Sequence, residues 1–236
     1  LRSSEIGPLR LASLHVSDSG SGWRRLLFRD AAFSQGVEFT GVTVEDNRFE
    51  QLRTPLFRAD EKSRLAFTMR DSEIGELLLF RAEAGFEGTR LRKASFQQPG
   101  DTRLAAGSAC QACRFENGMS RSRLQLDNAQ LPGAVFSRVV LLVEAHASGL
   151  DNSQWQKVAL AEGSAFDRVS LRQAVFTETP FKPVLRRLKA EAARFDDKSP
   201  LTLTEGSEEV EFPRAVFALP VDLDAAALRN LNFAAA

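Results

Sequence analysis

The side chains best suited to chemistry are few in this sequence and lie far apart. Its only histidines are His15 and His146, so a Ser-His-Asp constellation or a zinc site would have to recruit one of them. In the run LLVEAHAS, His146 reads as an outward residue beside a strand, and a surface or satisfied-core role is expected for both. Cys110 and Cys113 form a lone CxxC. A structural zinc site wants a second pair or a nearby His, and a thioredoxin-like site wants a βαβ context. Neither is visible, and the favoured reading is a pair of buried free thiols acting as small hydrophobes. Glu205, Glu208, Glu209 and Glu211 make the densest carboxylate group. It lacks neighbouring aromatic sugar platforms, and the carboxyl spacing of a glycosidase is a three-dimensional property, so a solvated loop is expected. No Walker loop, GxGxxG or GxSxG occurs at a strand–helix junction. The expectation is no catalytic residue, no cofactor-binding residue, no metal ligand, and therefore no cofactor and no enzyme.

Such residues must be positioned by something, and here composition helps. The chain has 236 residues, with 31 basic and 31 acidic side chains. A formal charge of zero gives no global field toward nucleic acid or an anionic membrane. The excess of Arg over Lys reads as genome bias. There are 18 Phe and no Tyr. A phenyl ring stacked in a dry interior needs no polar partner, whereas a buried phenol must find one. No apolar run reaches the roughly 18 residues needed to span a bilayer, and no transmembrane segment is expected.

The organising stretch runs from Gly149 to Pro183. Large apolar residues recur at Leu150, Trp155, Leu160, Phe166, Leu171, Phe176 and Phe181. Two places before each comes a small or β-branched residue: Ser148, Ser153, Val158, Ser164, Val169, Ala174 and Thr179. A step of five fits neither the 3.6-residue period of a helix nor the alternation of a strand. It fits a coil whose sides are short extended pieces joined by corners, with the central residue and the one two before it both inward. Such units bury nothing alone and must stack into a solenoid.

With AVFTE (174–178) and SAFDR (164–168) as its closest matches, the chain resembles the pentapeptide-repeat family. The resemblance implies an all-β, right-handed quadrilateral parallel β-helix, four repeats to a turn. Loop and short-helix insertions are expected within it. Residues 1–236 read as a single solenoid domain, with 1–22 as an N-terminal cap and SDSGSG (17–22) as a turn-rich loop within it. In the cap, Ile6, Leu11 and Val16 compete with Leu9 and Leu14 for the inward register. Trp23, Phe28, Phe33, Phe39, Val44 and Phe49 continue the repeat. Between Leu52 and Leu79 the period falters, with Phe57, Phe67 and Ile74 inward and loops leaving the coil. SEIG at 4–7 and 72–75 suggests equivalent roles for Ile6 and Ile74. Phe86, Leu91 and Phe96 return to register; QQPGD (97–101) is a loop. Cys110 and Phe115, then Leu126, Leu131, Phe136 and Leu141, follow. In PVLRRLKAEAARF (183–195), Leu185, Leu188, Ala192 and Phe195 fall at helical spacing. Residues 182–211 therefore read as an insertion with a short helix, followed by an acidic loop, EGSEE (205–209). Repeats resume at Phe212, Phe217, Leu223, Leu228 and Phe233. The opening without Met leaves a missing leader or N-terminal part as an open reading; at the other end, further sequence or a capping chain is expected.

The register makes a sharp prediction. Four repeats to a coil place Leu150 under Leu171 and Trp155 under Phe176, which puts Asp151 beside Arg172 and Lys157 beside Glu178. The leading functional expectation is a non-enzymatic scaffold that binds another protein, through the 184–211 insertion or a flat solenoid face. The alternatives are a DNA mimic that binds topoisomerases, as some relatives in the family do, and a β-helical carbohydrate-active enzyme. Zero charge and outward Arg29, Arg58, Arg81, Arg92 and Arg172 disfavour the mimic, and nucleic acid is disfavoured as a partner. Compartment is open: cytoplasmic by default, with secreted or periplasmic placement not excluded.

Overall fold

The computed structural model describes residues 5–17, 22–224 and 229–234. Among them every helix or strand is a strand, and each paired neighbour runs parallel. The strands stack into a β-solenoid of about 11 turns. Fourteen of them form one long sheet and twelve a second, with a short pair, Thr202–Thr204 against Asp222–Asp224.

The expected inward pairs are where the core lies. Leu150, Trp155, Phe166, Leu171, Phe176 and Phe181 are buried, together with Ser148, Ser153, Val158, Ser164, Val169, Ala174 and Thr179. In the twelve-stranded sheet, register stacks Phe96, Phe115, Phe136, Trp155, Phe176, Phe195 and Phe217 into one column. Neighbouring rings there lie 4.6, 5.1, 4.0, 5.8, 4.4 and 5.1 Å apart between centroids, tilted by no more than 20°. Each buried ring contributes about 1.5–3 kcal/mol by leaving water. The one indole in this column donates its N–H to Ser153 Oγ at 2.8 Å, so the column holds no unpaired polar tip.

Corners are made by left-handed residues placed two after a central one. Asn152, Lys157, Arg168, Gln173 and Glu178 all have φ between 49° and 59°. A non-glycine residue held there is strained by Cβ against its own carbonyl. The strain is offset because the same residue's N–H points at the next coil: Lys157 donates to Thr177 O at 3.0 Å and Gln173 to Glu191 O at 2.8 Å.

The small inward place does more than fit a narrow space. Ser63, Ser72, Ser108, Ser148, Ser164, Thr179, Ser199 and Ser207 each accept a hydrogen bond from a backbone N–H one coil earlier, at 2.9–3.3 Å. Asn47 does the same for Leu26 N at 2.9 Å. A buried backbone donor left unpaired is costly, so hydroxyls in this place join the coils.

The register prediction holds. Leu150 N donates to Ser170 O, just before Leu171, and Trp155 pairs with Phe176. Asp151 and Arg172 meet at 2.8 Å, Lys157 and Glu178 at 3.7 Å. In residues 5–17 both rival sets align with inward residues of the next coil, Leu11 and Val16 with Phe33 and Phe39, and Leu9 and Leu14 with Ala31 and Val37, although Leu11 itself stays exposed. Ile6 and Ile74 both align with a central inward residue, Phe28 and Leu91 respectively, but do so in different sheets. Of SDSGSG, all but Ser17 and Gly22 lies outside the described residues, as does Leu228.

Three expectations are overturned. No helix forms in 182–211. Val184–Arg186 is a strand, and Leu185, Leu188, Ala190, Ala193 and Phe195 are all buried in the coil wall. Ala192, expected on the apolar face of that helix, is instead a left-handed corner residue with φ 53°. Leu188 holds the small place and Ala190 the central one, so exchanging large and small made a five-residue step look helical. No loops leave the coil between Leu52 and Leu79 either. Arg53–Ala59, Arg64–Arg70 and Glu73–Phe80 are continuous strands. There Phe57 aligns with Val37 and Leu77, while Ala59 aligns with Phe39; the same exchange has taken place. Finally, Cys110 and Cys113 take the expected inward places but form a disulfide, with Cα atoms 5.8 Å apart. The corner between two sides of one coil brings a central position and the following small position within bonding reach.

Candidate functional site

Outward residues stack in columns along the axis, since adjacent coils lie about 4.8 Å apart. One column of the fourteen-stranded sheet runs Arg29, Glu50, Arg70, Glu87, then Ala105. Further along the same sheet it runs Asp127, His146, Asp167, Arg186, Glu208, Arg229. The signs alternate nearly throughout. Arg29–Glu50 and Arg70–Glu87 close at 3.2 and 2.8 Å. The Arg70 guanidinium is held above its ordinary value by the hydrogen bond and charge of Glu87. On another line, Asp151 bonds Arg172, and Glu191 bonds Arg214. Burial pushes the Asp151 carboxyl up, but the hydrogen bonds of Arg172 and Ser170 outweigh it and leave the group below the usual carboxylate range.

These columns absorb the sequence candidates. His146 lies half-buried in the alternating column, its Nδ1 3.0 Å from Asp167 and its Nε2 against Arg168. Asp167 also receives Arg187 at 2.7 Å. His15 sits 3.6 Å from Glu38, which is shared with Arg58. Histidine here is a polar rung beside charged neighbours. The four glutamates do not converge: Glu205 occupies a tight turn, Glu208 stacks on Arg186, and Glu211 bridges toward Lys189 in a different column. Among the described residues no group of three or more His, Cys, Asp or Glu is placed to hold a metal ion.

What sequence reading missed is a groove along the N-terminal coils of about 1360 Å³, larger than the 750 Å³ hollow beside Arg48 and Arg103. Its floor is a column of short side chains: Ala12, Ser34, Pro55 and Gly75. A Cβ on Gly75 would come within 2.5 Å of the Pro55 carbonyl oxygen, so close approach of the coils requires glycine there. One wall is the column Arg10, Ala32, Arg53, Glu73, Arg90. Opposite lie Leu56, Glu76 and Lys93, and Arg92 ends the floor. Leu11 is 47% exposed at one end. Five cations line the groove against two carboxylates, Glu73 and Glu76. Arg90 reaches Glu73 at 3.7 Å, Lys93 reaches Glu76 at 2.7 Å and Arg10 pairs with Asp30 at 2.8 Å. Arg53 and Arg92 are exposed, and among the described residues neither guanidinium has a partner. The floor residues are some twenty apart in sequence; only folding into coils makes them neighbours. Comparison with known proteins finds no matching family model, no matching curated protein and no matching solved structure.

Proposed function

We propose that this chain is a non-enzymatic scaffold that binds another protein on the outer wall of its solenoid, at the groove floored by Ala12, Ser34, Pro55 and Gly75. The observation that carries this reading is the contrast between walls. Along the ladder columns, opposite charges satisfy one another between coils, which leaves little for a partner to win. In the groove a concave floor and unpaired cations remain. We also read the coils as pentapeptide repeats. The inward pairs at five-residue steps and the left-handed corners two residues after each central one support that reading. Duplex mimicry asks for one continuous acidic face, and the alternating columns run against it. A carbohydrate-active enzyme asks for converging carboxylates beside exposed rings, whereas the four glutamates are dispersed and most of the rings are buried. Photo-crosslinking in an extract of the native organism tests the proposal, with the probe at Ser34 in the groove or at Arg186 on the ladder column. Discrete protein adducts from Ser34 and none from Arg186 are expected; equal yields from both, or none from either, would end the scaffold reading at this site.

A further inference from the structure

We infer that the groove takes an extended acidic segment of a partner protein, with two carboxylates, four residues apart, bound by Arg53 and Arg92. This rests on the scaffold reading above and gives the partner a chemistry. Arg53 and Arg92 stand two coils apart along the axis: Arg53 pairs in register with Glu73, and Arg92 follows Leu91, which pairs with Ile74 of the next coil. Two coil steps span about 10 Å along the axis, and Arg92 stands two residues sideways from the column Arg53, Glu73, Arg90. The combined separation of about 12 Å is covered by four extended residues, whose end side chains fall on the same face. The floor of Ala12, Ser34, Pro55 and Gly75 continues for about two more steps toward the exposed Leu11, giving the segment room for an apolar side chain at that end. A bidentate guanidinium–carboxylate pair is the strongest polar contact such a groove can offer.

The same walls argue against a nucleic-acid strand. Glu73 and Glu76 stand between the two free arginines and along the opposite wall, where a backbone charged at every unit would meet repulsion. A peptide places neutral residues there and keeps its carboxylates for the two arginines.

The test is direct binding, followed by fluorescence anisotropy and by amide shifts of the isotope-labelled full chain. The probe is a labelled peptide of sequence Leu-Gly-Ala-Ala-Asp-Ala-Ala-Ala-Asp-Gly, beside its Asn-for-Asp counterpart and a single-stranded oligonucleotide of equal length. The expected result is saturable binding of the Asp peptide with shifts at Ala12, Ala32 and Gly75. The Arg53→Gln/Arg92→Gln variant should bind about 10-fold or more weakly, and the Asn peptide should lose at least as much. Ser34→Phe, at an exposed position, should block the groove without touching either arginine. Equal affinity for the Asn peptide, no response to the double substitution, stronger binding of the oligonucleotide, or no binding at all would overturn the inference. If Ser34 crosslinks still form in Arg53→Gln/Arg92→Gln, the scaffold reading stands while the acidic-segment inference falls; if the wild type gives no adducts, the scaffold reading falls by itself.

Discussion

A hydroxyl in a protein interior usually needs a reason, and here the reason is the coil above it. Thr179 Oγ1 accepts from Val158 N at 3.2 Å and donates within reach of Thr177 O and Trp155 O at 3.0 and 3.1 Å. Thr179→Val keeps the volume and strands the Val158 N–H, so a loss of about 1–3 kcal/mol is expected. Thr179→Ser should retain most of the stability, and urea midpoints compare the two. A Val variant indistinguishable from wild type would show that the hydroxyls merely fill space. The carboxylates of Asp60 and Asp196 do related work in a shared turn, Asp-x-Lys-Ser. Asp60 accepts from Gly41 N, Ser63 N and Ser63 Oγ; Asp196 accepts from Glu178 N, Lys198 N and Ser199 Oγ. For both, burial pushes the carboxyl up, but the hydrogen bonds win and hold it below its ordinary value. A folded-state value below the unfolded one means stability that is present at neutral pH and lost as pH falls through the folded value. Asp196→Asn should therefore be less stable than wild type near pH 7, with the gap closing below about pH 4. A gap that persists in acid would show that ionisation is not its source.

The strands reveal how a pattern can be sound and still be misread. Central residues were legible wherever the large side chain stood in the central place, as at Phe166, Leu171 and Phe176. At Phe57/Ala59 and Leu188/Ala190 the two inward places have exchanged sizes. The summed volume is kept while the five-residue signature is lost, because packing constrains the pair and not each member. Phe57→Ala alone should cost about 3–5 kcal/mol. Adding Ala59→Phe puts a ring where Phe39 and Leu79 stand on the adjacent coils, and should recover more than half of that loss. A double-mutant cycle on denaturation free energies measures the recovery. If the double variant is as unstable as Phe57→Ala, the two places are not interchangeable and the account of the misread stretches fails.

At the scale of the molecule, each coil touches the next, and stability is close to a sum over neighbouring coils. The Cys110–Cys113 disulfide therefore acts locally. It closes a ring of four residues, for which loop entropy gives about 2 kcal/mol. Leu91 stands beside Cys110 and Ala94 beside Cys113 on the adjacent coil. Cys110→Leu/Cys113→Ala should therefore fold, with a thermal midpoint lowered by no more than about 4–8 °C. Loss of the cooperative transition would show that the bond organises more than its own corner. Charge also acts at this scale. Equal numbers of acids and bases looked featureless in composition, yet they are ordered along the axis as alternating columns, each exposed pair contributing only about 0–1 kcal/mol. Along the ladder columns opposite signs meet locally, so those walls do not acquire the single sign that long-range steering would need.

The sequence by itself determined that the chain coils, which side chains point inward over most of its length, and which charged residues meet at Asp151–Arg172 and Lys157–Glu178. It could do so because those properties repeat at short range: a five-residue step is set by the backbone and by whether a side chain tolerates water. The exchanged pairs, the hydroxyl bonds between coils, the disulfide and the groove were decided only by tertiary structure. The disulfide and the exchanged pairs are close in sequence, but which inward place each side chain fills depends on the coils packed beside it. The hydroxyl bonds and the groove depend on residues about one coil apart, and coil length varies, with 17 residues separating Lys93 from Glu76 and 21 separating Arg172 from Asp151. That variation shifts what lies beneath what, so a column such as Ala12, Ser34, Pro55 and Gly75 has no fixed period to be read along the chain.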